Sequence, residues 1–258
     1  MIAAAWGAAS DRGLVRAVNE DSLMAEPPVF LVADGMGGHA AGDLASRLAV
    51  AAFAALGGAE RLNVEDALAA VARANQAILD AAREDRSRAG MGTTLAGLAV
   101  VAAAGSEHWM AFNIGDSRVY RLSADGLRQL TADHSEVAEL VATGRISREE
   151  ARTYPRRHVV TRSLGTEPPP EADCWVFPPE AAERFIVCSD GLTGELSDSE
   201  IGAAAREIGD PQELAQALVD RAVAAGGHDN VTVIVVDGRS AGSAPDEDTT
   251  PGPPGRVP

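Results

Sequence analysis

The stretch that decides the fold runs from Val29 to Gly42 and reads VFLVADGMGGHAAG. Five apolar residues, Val29 to Ala33, have the length and composition of a buried strand. They end on Asp34, and three glycines follow within four residues, then His39. Glycines suit a tight strand-to-helix turn, with Asp34 or Asp43 serving as the helix cap. A turn alone does not explain a carboxylate at the last step of an apolar run, where it is costly unless paired or bound to a cation. The rest of the chain has to decide between these readings.

Outward from this stretch, strands and helices come in blocks. An alanine-rich helix is expected over 43–56. A second is expected over 64–83, with apolar residues at 64, 67, 68, 71, 78, 79 and 82 and Asn63 as its cap. Residues 93–103 read as a buried strand, and 109–122 as a hairpin or a pair of short strands turning at Gly115-Asp-Ser-Arg118. Ser147 with Glu150 and Ser197 with Glu200 form capping boxes. Asp210-Pro-Gln-Glu213 opens a helix that Gly226-Gly227 closes, and 231–237 is a last buried strand. Blocks of this kind favour a layered α+β sandwich over a doubly wound parallel sheet.

The 258 residues, 46% of them hydrophobic, suffice for one domain with a sizeable core. A single domain is expected over 1–238, followed by a disordered Pro/Gly/acidic tail over 239–258. Acidic residues number 38 against 22 basic ones, all of them arginine, for a net charge of −16. That balance speaks against nucleic-acid binding. Two cysteines, Cys174 and Cys188, make neither a disulfide framework nor a zinc ribbon. The start lacks a basic segment before its apolar residues, and no apolar run has the length of a membrane span, so a cytoplasmic protein is expected.

Aspartates recur where strands begin or end. Glu20 and Asp21 stand in RAVNEDS, Asp116 in FNIGDSR, Asp190 in FIVCSDG and Asp229 in GGHDNVTVIVV, most of them beside glycine. One such residue is usually a turn. Several at the mouths of core strands are better explained by a shared cation, because converging carboxylates repel each other without one. The donors offered are carboxylates and a glycine-freed carbonyl, all oxygen, which suits Mg²⁺ or Mn²⁺ and not zinc. Calcium also accepts such donors, but no EF-hand loop is present.

Arg16-x-x-Asn-Glu-Asp21, DGMGGHAAG, GMGTT (Gly90 to Thr94), IGDSR, CSDGL and GGHDNVT occur in order, and at these spacings the chain resembles the metal-dependent protein phosphatases of type 2C, bacterial single-domain members above all. The resemblance spans about residues 4–237. It implies a four-layer α-β-β-α sandwich of two antiparallel sheets flanked by helices, and hydrolysis of phosphoserine and phosphothreonine by a water activated between two Mn²⁺ or Mg²⁺ ions. It further implies that Asp34 bridges the two metals, that Gly35 lends its carbonyl, and that Asp190 and Asp229 hold the other side. Glu20 and Asp21 would orient metal-bound water, and Asp116 would bind a third, weaker metal. Residues 135–163 would form a flap whose start His134 ties down. Arg16 would grip the phosphate with its planar fork, and His39 would protonate the leaving oxygen. The expected partners are phosphorylated proteins, serine/threonine kinases among them, met by a monomer.

Bland readings stand beside these. Arg16 could be a surface arginine, His39 a loop histidine and Asp116 a turn residue, while Cys188 is read as a small core residue. A silent relative that only binds phosphoproteins should have lost a metal ligand, and this chain keeps Asp34, Asp190 and Asp229. A hydrolase of small phosphoesters is separated only by comparing substrates.

Overall fold

The structure is a computed structural model and describes residues 2–37 and 41–240. Two antiparallel sheets lie face to face. The first has the order β1 (Ile2–Asp11), β11 (Val231–Ser240), β10 (Ala182–Cys188), β7 (Arg118–Ser123) and β8 (Gly126–Gln129). The second has the order β2 (Asp21–Glu26), β3 (Val29–Met36), β5 (Leu95–Ala103), β6 (Ser106–Ile114) and β9 (Asp173–Phe177), with the short β4 (Gly92–Thr93) pairing the end of β3. Helices α1 (Ala41–Ala51) and α2 (Val64–Glu84) cover the outer face of the second sheet. Helices α5 (Asp190–Glu195), α6 (Asp198–Glu207) and α7 (Pro211–Ala225) cover that of the first. Two short helices, α3 (Glu136–Ala142) and α4 (Arg148–Arg152), lie in the segment between β8 and β9.

The two-residue period of a strand explains the layering. On β3, Phe30 and Val32 point between the sheets, whereas Val29, Leu31 and Ala33 meet the helices. On β10, Phe185 and Val187 point inward, and Ile186 and Cys188 face α5 to α7. Both faces are buried, so these strands read as continuous apolar runs rather than alternating ones. The helices pack through small residues, with Ala41, Ala45 and Ala49 of α1 fully covered, which lets the helix lie close on the sheet. Four layers result, α-β-β-α.

The caps read from the sequence are formed. Asn63 with Asp66, Ser147 with Glu150, and Ser197 with Glu200 each make both bonds of a capping box. Asp210 accepts from the backbone N–H groups of Gln212 and Glu213, with Pro211 in the first turn and Gly226 at the far end.

Four local expectations are revised or narrowed. Of the two readings of 109–122, the pair of short strands holds and the hairpin does not: β6 belongs to one sheet and β7 to the other, so Gly115-Asp-Ser carries the chain across the sandwich. The apolar character that suggested a hairpin came from burial in two different layers. The first helix stops at Ala51 rather than 56, and a 3-10 turn at Ala54–Leu56 follows. The strand expected over 93–103 is divided at Thr94 into β4 and β5, although the Thr94 N–H still donates to the Asp34 carbonyl in register with the β3 pairs on either side. At the C-terminal end, β11 continues through Arg239 and Ser240, opposite Ala3 and Ile2, two residues past the expected boundary. The remaining residues expected to form the tail, 241–258, lie outside the described residues.

Candidate active site

The inter-sheet core is apolar over most of its length and turns polar at one end. Continuing the inward rows of each strand by two residues leads from Val32 to Asp34, from Leu23 to Asp21, from Val187 to Ser189 and from Ile234 to Thr232. Asp21 and Asp34 are direct partners in the β2–β3 ladder, so two carboxylates stand side by side by register alone. The Ser189 hydroxyl donates to Asp21 Oδ2 at 2.8 Å and accepts the Thr232 N–H at 3.0 Å, which ties β2 to β10 and β11 across the sandwich.

Asp34 is fixed through its backbone. Its N–H donates to Thr94 Oγ1 at 3.0 Å, and its carbonyl accepts from Thr93 Oγ1 at 2.8 Å and from the Thr94 N–H at 2.9 Å. Thr94 Oγ1 also meets the buried Ser117 Oγ at 2.7 Å, so the segment carrying Asp34 is joined to the crossing that carries Asp116. Gly35 follows where α1 comes closest: its N–H donates to the Glu20 carbonyl, and a Cβ there would collide with the Gly42 carbonyl.

Asp190 and Asp229 come from separate segments held in contact. Asp190 begins α5, and the adjoining Gly191 presses on the Asn230 carbonyl so closely that no side chain fits. Asn230, nearly buried, accepts the Glu20 N–H at 2.8 Å and donates to the carbonyls of Arg12 and Val18 at 2.9 and 3.0 Å. One amide thus holds the loop that carries Arg16 and Glu20 against the strand that follows Asp229. Arg16 Nη2 donates to Asp229 Oδ2 at 2.6 Å.

Electrostatics show that the carboxylates share a field. Burial holds Asp34 well above the usual carboxylate range, and Asp21, Asp190, Asp116 and Asp229 push it further up. Asp21 is pushed up to about 7, first by burial and also by Asp190 and Asp229, against the hydrogen bonds from Thr232 and Ser189. Asp116 is pushed up to about 8 by burial, then by Asp190 and Asp133. Two oxygens in the cluster, Glu20 Oε1 and Asp21 Oδ1, are buried with no hydrogen-bond partner among the described residues.

These orphaned oxygens and the all-oxygen donor set fit a hard divalent cation by charge and chemistry. Among the described residues no three acidic, imidazole or thiol groups stand within coordination reach of one point. Asp229 is turned toward Arg16, and Asp190 Oδ2 lies 3.7 Å from His158 Nδ1. A cation would therefore be met by side-chain rotation of these acids, not by a closed cage.

The segment over 135–163 is tied down at its base. His134 Nδ1 accepts the Gly115 N–H at 3.0 Å, so its proton sits on Nε2, which donates to Asp173 Oδ2 at 3.1 Å. Its carbonyl accepts from Thr161, and Ser135 bridges Val160, which brings the two ends of the segment together beside the Asp116 crossing. This is the tying role read for His134. Cys188 is fully buried, and its thiol is pushed up to about 12 by that burial, as a core residue.

The structure therefore brings Glu20, Asp21, Asp34, Gly35, Asp116, Asp190, Asp229 and Arg16 to one end of the sandwich. His39 lies outside the described residues. Sequence reasoning missed the groups that hold the acids: Thr93, Thr94, Ser117, Ser189, Asn230 and Thr232. All six lie inside motifs quoted for their acids or glycines. His158 was missed as well, and nothing in its local sequence announces it.

The family profile described as Protein phosphatase 2C matches residues 16–225. The chain belongs to the protein phosphatase 2C family. Its similarity to a serine/threonine phosphatase of Listeria innocua is 37% identity over 240 residues, 88% of this chain and 93% of that one. The serine/threonine protein phosphatase PstP of Mycobacterium tuberculosis is 42% identical over 236 residues, 90% of this chain and 44% of PstP. The solved catalytic domain of PstP, in complex with two manganese ions, superposes with a TM-score of 0.83 at 39% identity, covering 93% of this chain and all of that domain. The α-β-β-α sandwich is thus the fold of the family.

Proposed function

We propose that this protein phosphatase 2C family member hydrolyses phosphoserine and phosphothreonine esters at the polar end of its inter-sheet core, with Mn²⁺ or Mg²⁺ as cofactor. The observation that carries the reading is the gathering of Asp21, Asp34, Asp116, Asp190 and Asp229 in one field, with two buried carboxylate oxygens lacking partners. A cluster of that charge is unfavourable without cations. Similarity to serine/threonine phosphatases, one of them solved with two manganese ions, supports the same reading.

Asp34, the Gly35 carbonyl, Asp190 and Asp229 would hold two ions, and Asp116 a weaker third. When bound, the ions supply positive charge to the phosphoryl oxygens and a water acidic enough to attack at neutral pH. The chain's own groups do the remainder. Glu20 and Asp21, with one free carboxylate oxygen each, accept hydrogen bonds from water and orient it. Arg16, half exposed beside Asp229, offers its planar fork to the phosphate. His39 donates the proton that the serine or threonine oxygen needs as it leaves.

Phosphorylated proteins are the substrates on this reading, with serine/threonine kinases that carry regulatory phosphates among the partners. The protein would act as a cytoplasmic monomer; among the described residues no helix is long and apolar enough to cross a membrane. The test is hydrolysis of a phosphothreonine peptide before and after chelation, with Asp190→Asn as a second arm. Turnover should need Mn²⁺ or Mg²⁺ and be nearly lost in the variant; full turnover after chelation would refute the reading.

A further inference from the structure

Large aliphatic or aromatic side chains that stay substantially exposed are few among the described residues: Trp6, Leu14, Val15, Val18, Leu68, Val159 and Val176. Three of these seven lie within two residues of Arg16, with Leu14 68%, Val15 66% and Val18 47% exposed. They sit on the loop whose Arg16 reaches Asp229. The loop is also not free to fold them away. Asn230 holds the Arg12 and Val18 carbonyls, Arg12 Nη1 donates to the Ala17 carbonyl at 3.2 Å, and the Leu14 N–H donates to the Gly227 carbonyl at 2.7 Å. A clamped loop keeps its apolar side chains in water, beside a guanidinium turned toward the acids.

We propose that Leu14, Val15 and Val18 form a fixed apolar rim that binds the substrate polypeptide next to its phosphorylated residue, and so selects phosphoproteins with aliphatic or aromatic neighbours there. The proposal rests on the phosphatase reading and on Arg16 meeting the phosphate. With the phosphate on Arg16, the substrate backbone must pass the residues adjoining Arg16. Consecutive Cα atoms are about 3.8 Å apart, so substrate side chains one to three positions from the phosphoresidue come within reach of the rim. The chain's charge of −16 repels acidic flanks and attracts basic ones, so the peptides that test the rim carry equal charge. Three side chains are also far fewer than the roughly 20–30 residues a side of a stable protein–protein interface, which fits a short peptide flank and not a second copy.

Two phosphothreonine peptides of equal charge test it, one with leucine and one with serine on each side of the phosphoresidue, together with p-nitrophenyl phosphate, on Mn²⁺-loaded protein. The natural chain should prefer the leucine peptide by about tenfold in kcat/KM, the size expected when a few methylenes find an apolar surface. The double variant Leu14→Ser/Val15→Ser should bring the ratio close to one through a higher KM for the leucine peptide, with p-nitrophenyl phosphate turnover unchanged. Val18→Ser, a milder change, should give an intermediate ratio. Equal kcat/KM for both peptides in the natural chain, or an unchanged preference in the variants, would overturn the rim. Failure of the natural chain on all three substrates would instead overturn the phosphatase reading beneath it.

Discussion

Asp21 gives the sharpest handle on the acidic centre, because its burial makes the chelated protein unstable in a defined pH window. Its carboxyl is raised from 3.8 to about 7 in the folded chain, through burial and then through Asp190 and Asp229. A raised acid keeps its proton in the native state after the unfolded chain has lost it. Stability therefore falls as pH rises from about 4 and levels off above about 7. Each pKa unit is worth about 1.4 kcal/mol, so between pH 5 and pH 7 Asp21 alone costs about 3 kcal/mol. Asp21→Asn removes that cost while its amide oxygen can still accept from Ser189. In chelator, the melting temperature of Asp21→Asn should pull ahead of the natural chain's as pH rises from 5 to 8, by roughly 6–12 °C at 2–4 °C per kcal/mol for a domain of this size. Saturating Mn²⁺ should flatten the natural chain's pH dependence, since cations favour the ionised acids. Differential scanning calorimetry at half-unit pH steps reads both effects. A melting-temperature difference that stays constant over this range would refute the idea that Asp21 is held protonated by its buried acidic neighbours.

Other perturbations reach different parts of the centre. Asp116→Ala should raise the Mn²⁺ concentration for half-maximal turnover without weakening phosphate inhibition; an unchanged metal titration would count against the third-cation role. Thr94→Val strips partners from the Asp34 N–H and Ser117 Oγ. It should cost about 1–3 kcal/mol in chemical denaturation and lower kcat, and a variant of full stability and activity would show that Asp34 is positioned by other groups. His39→Ala should slow phosphopeptide hydrolysis by about 10²–10⁴-fold yet barely affect p-nitrophenyl phosphate, whose leaving group needs no proton. Equal losses on both substrates would remove His39 from the general-acid role.

Much of this architecture was legible because local chemistry and fold agree. Val29 to Ala33 is apolar on both faces since β3 lies between two covered layers, and its run ends on Asp34 where the core gives way to the site. Ser147, Ser197 and Asp210 announced their helices because a cap is a bond between near neighbours in sequence. What stayed hidden depends on long-range register. The step from β6 to β7 looks like a hairpin locally, and only the pairing of β7 with β10 shows that it crosses between sheets. Thr94 and Asn230 bond partners 60 and more than 200 residues away, so neither role has a local signature. His158 meets Asp190 only because the segment over 135–163 is pinned at both ends to the Asp116 crossing.

The central claim is that the acids at the end of the inter-sheet core exist to hold divalent cations. Equilibrium dialysis against Mn²⁺, with bound metal counted by inductively coupled plasma mass spectrometry for the natural chain and Asp34→Asn, tests it most directly. Two tightly held ions per natural chain and a third at higher concentration are expected, and Asp34→Asn, still folded, should lose the tight ions together with phosphothreonine peptide turnover. A natural chain that binds no tight Mn²⁺, or an Asp34→Asn variant that binds the same number, would contradict it.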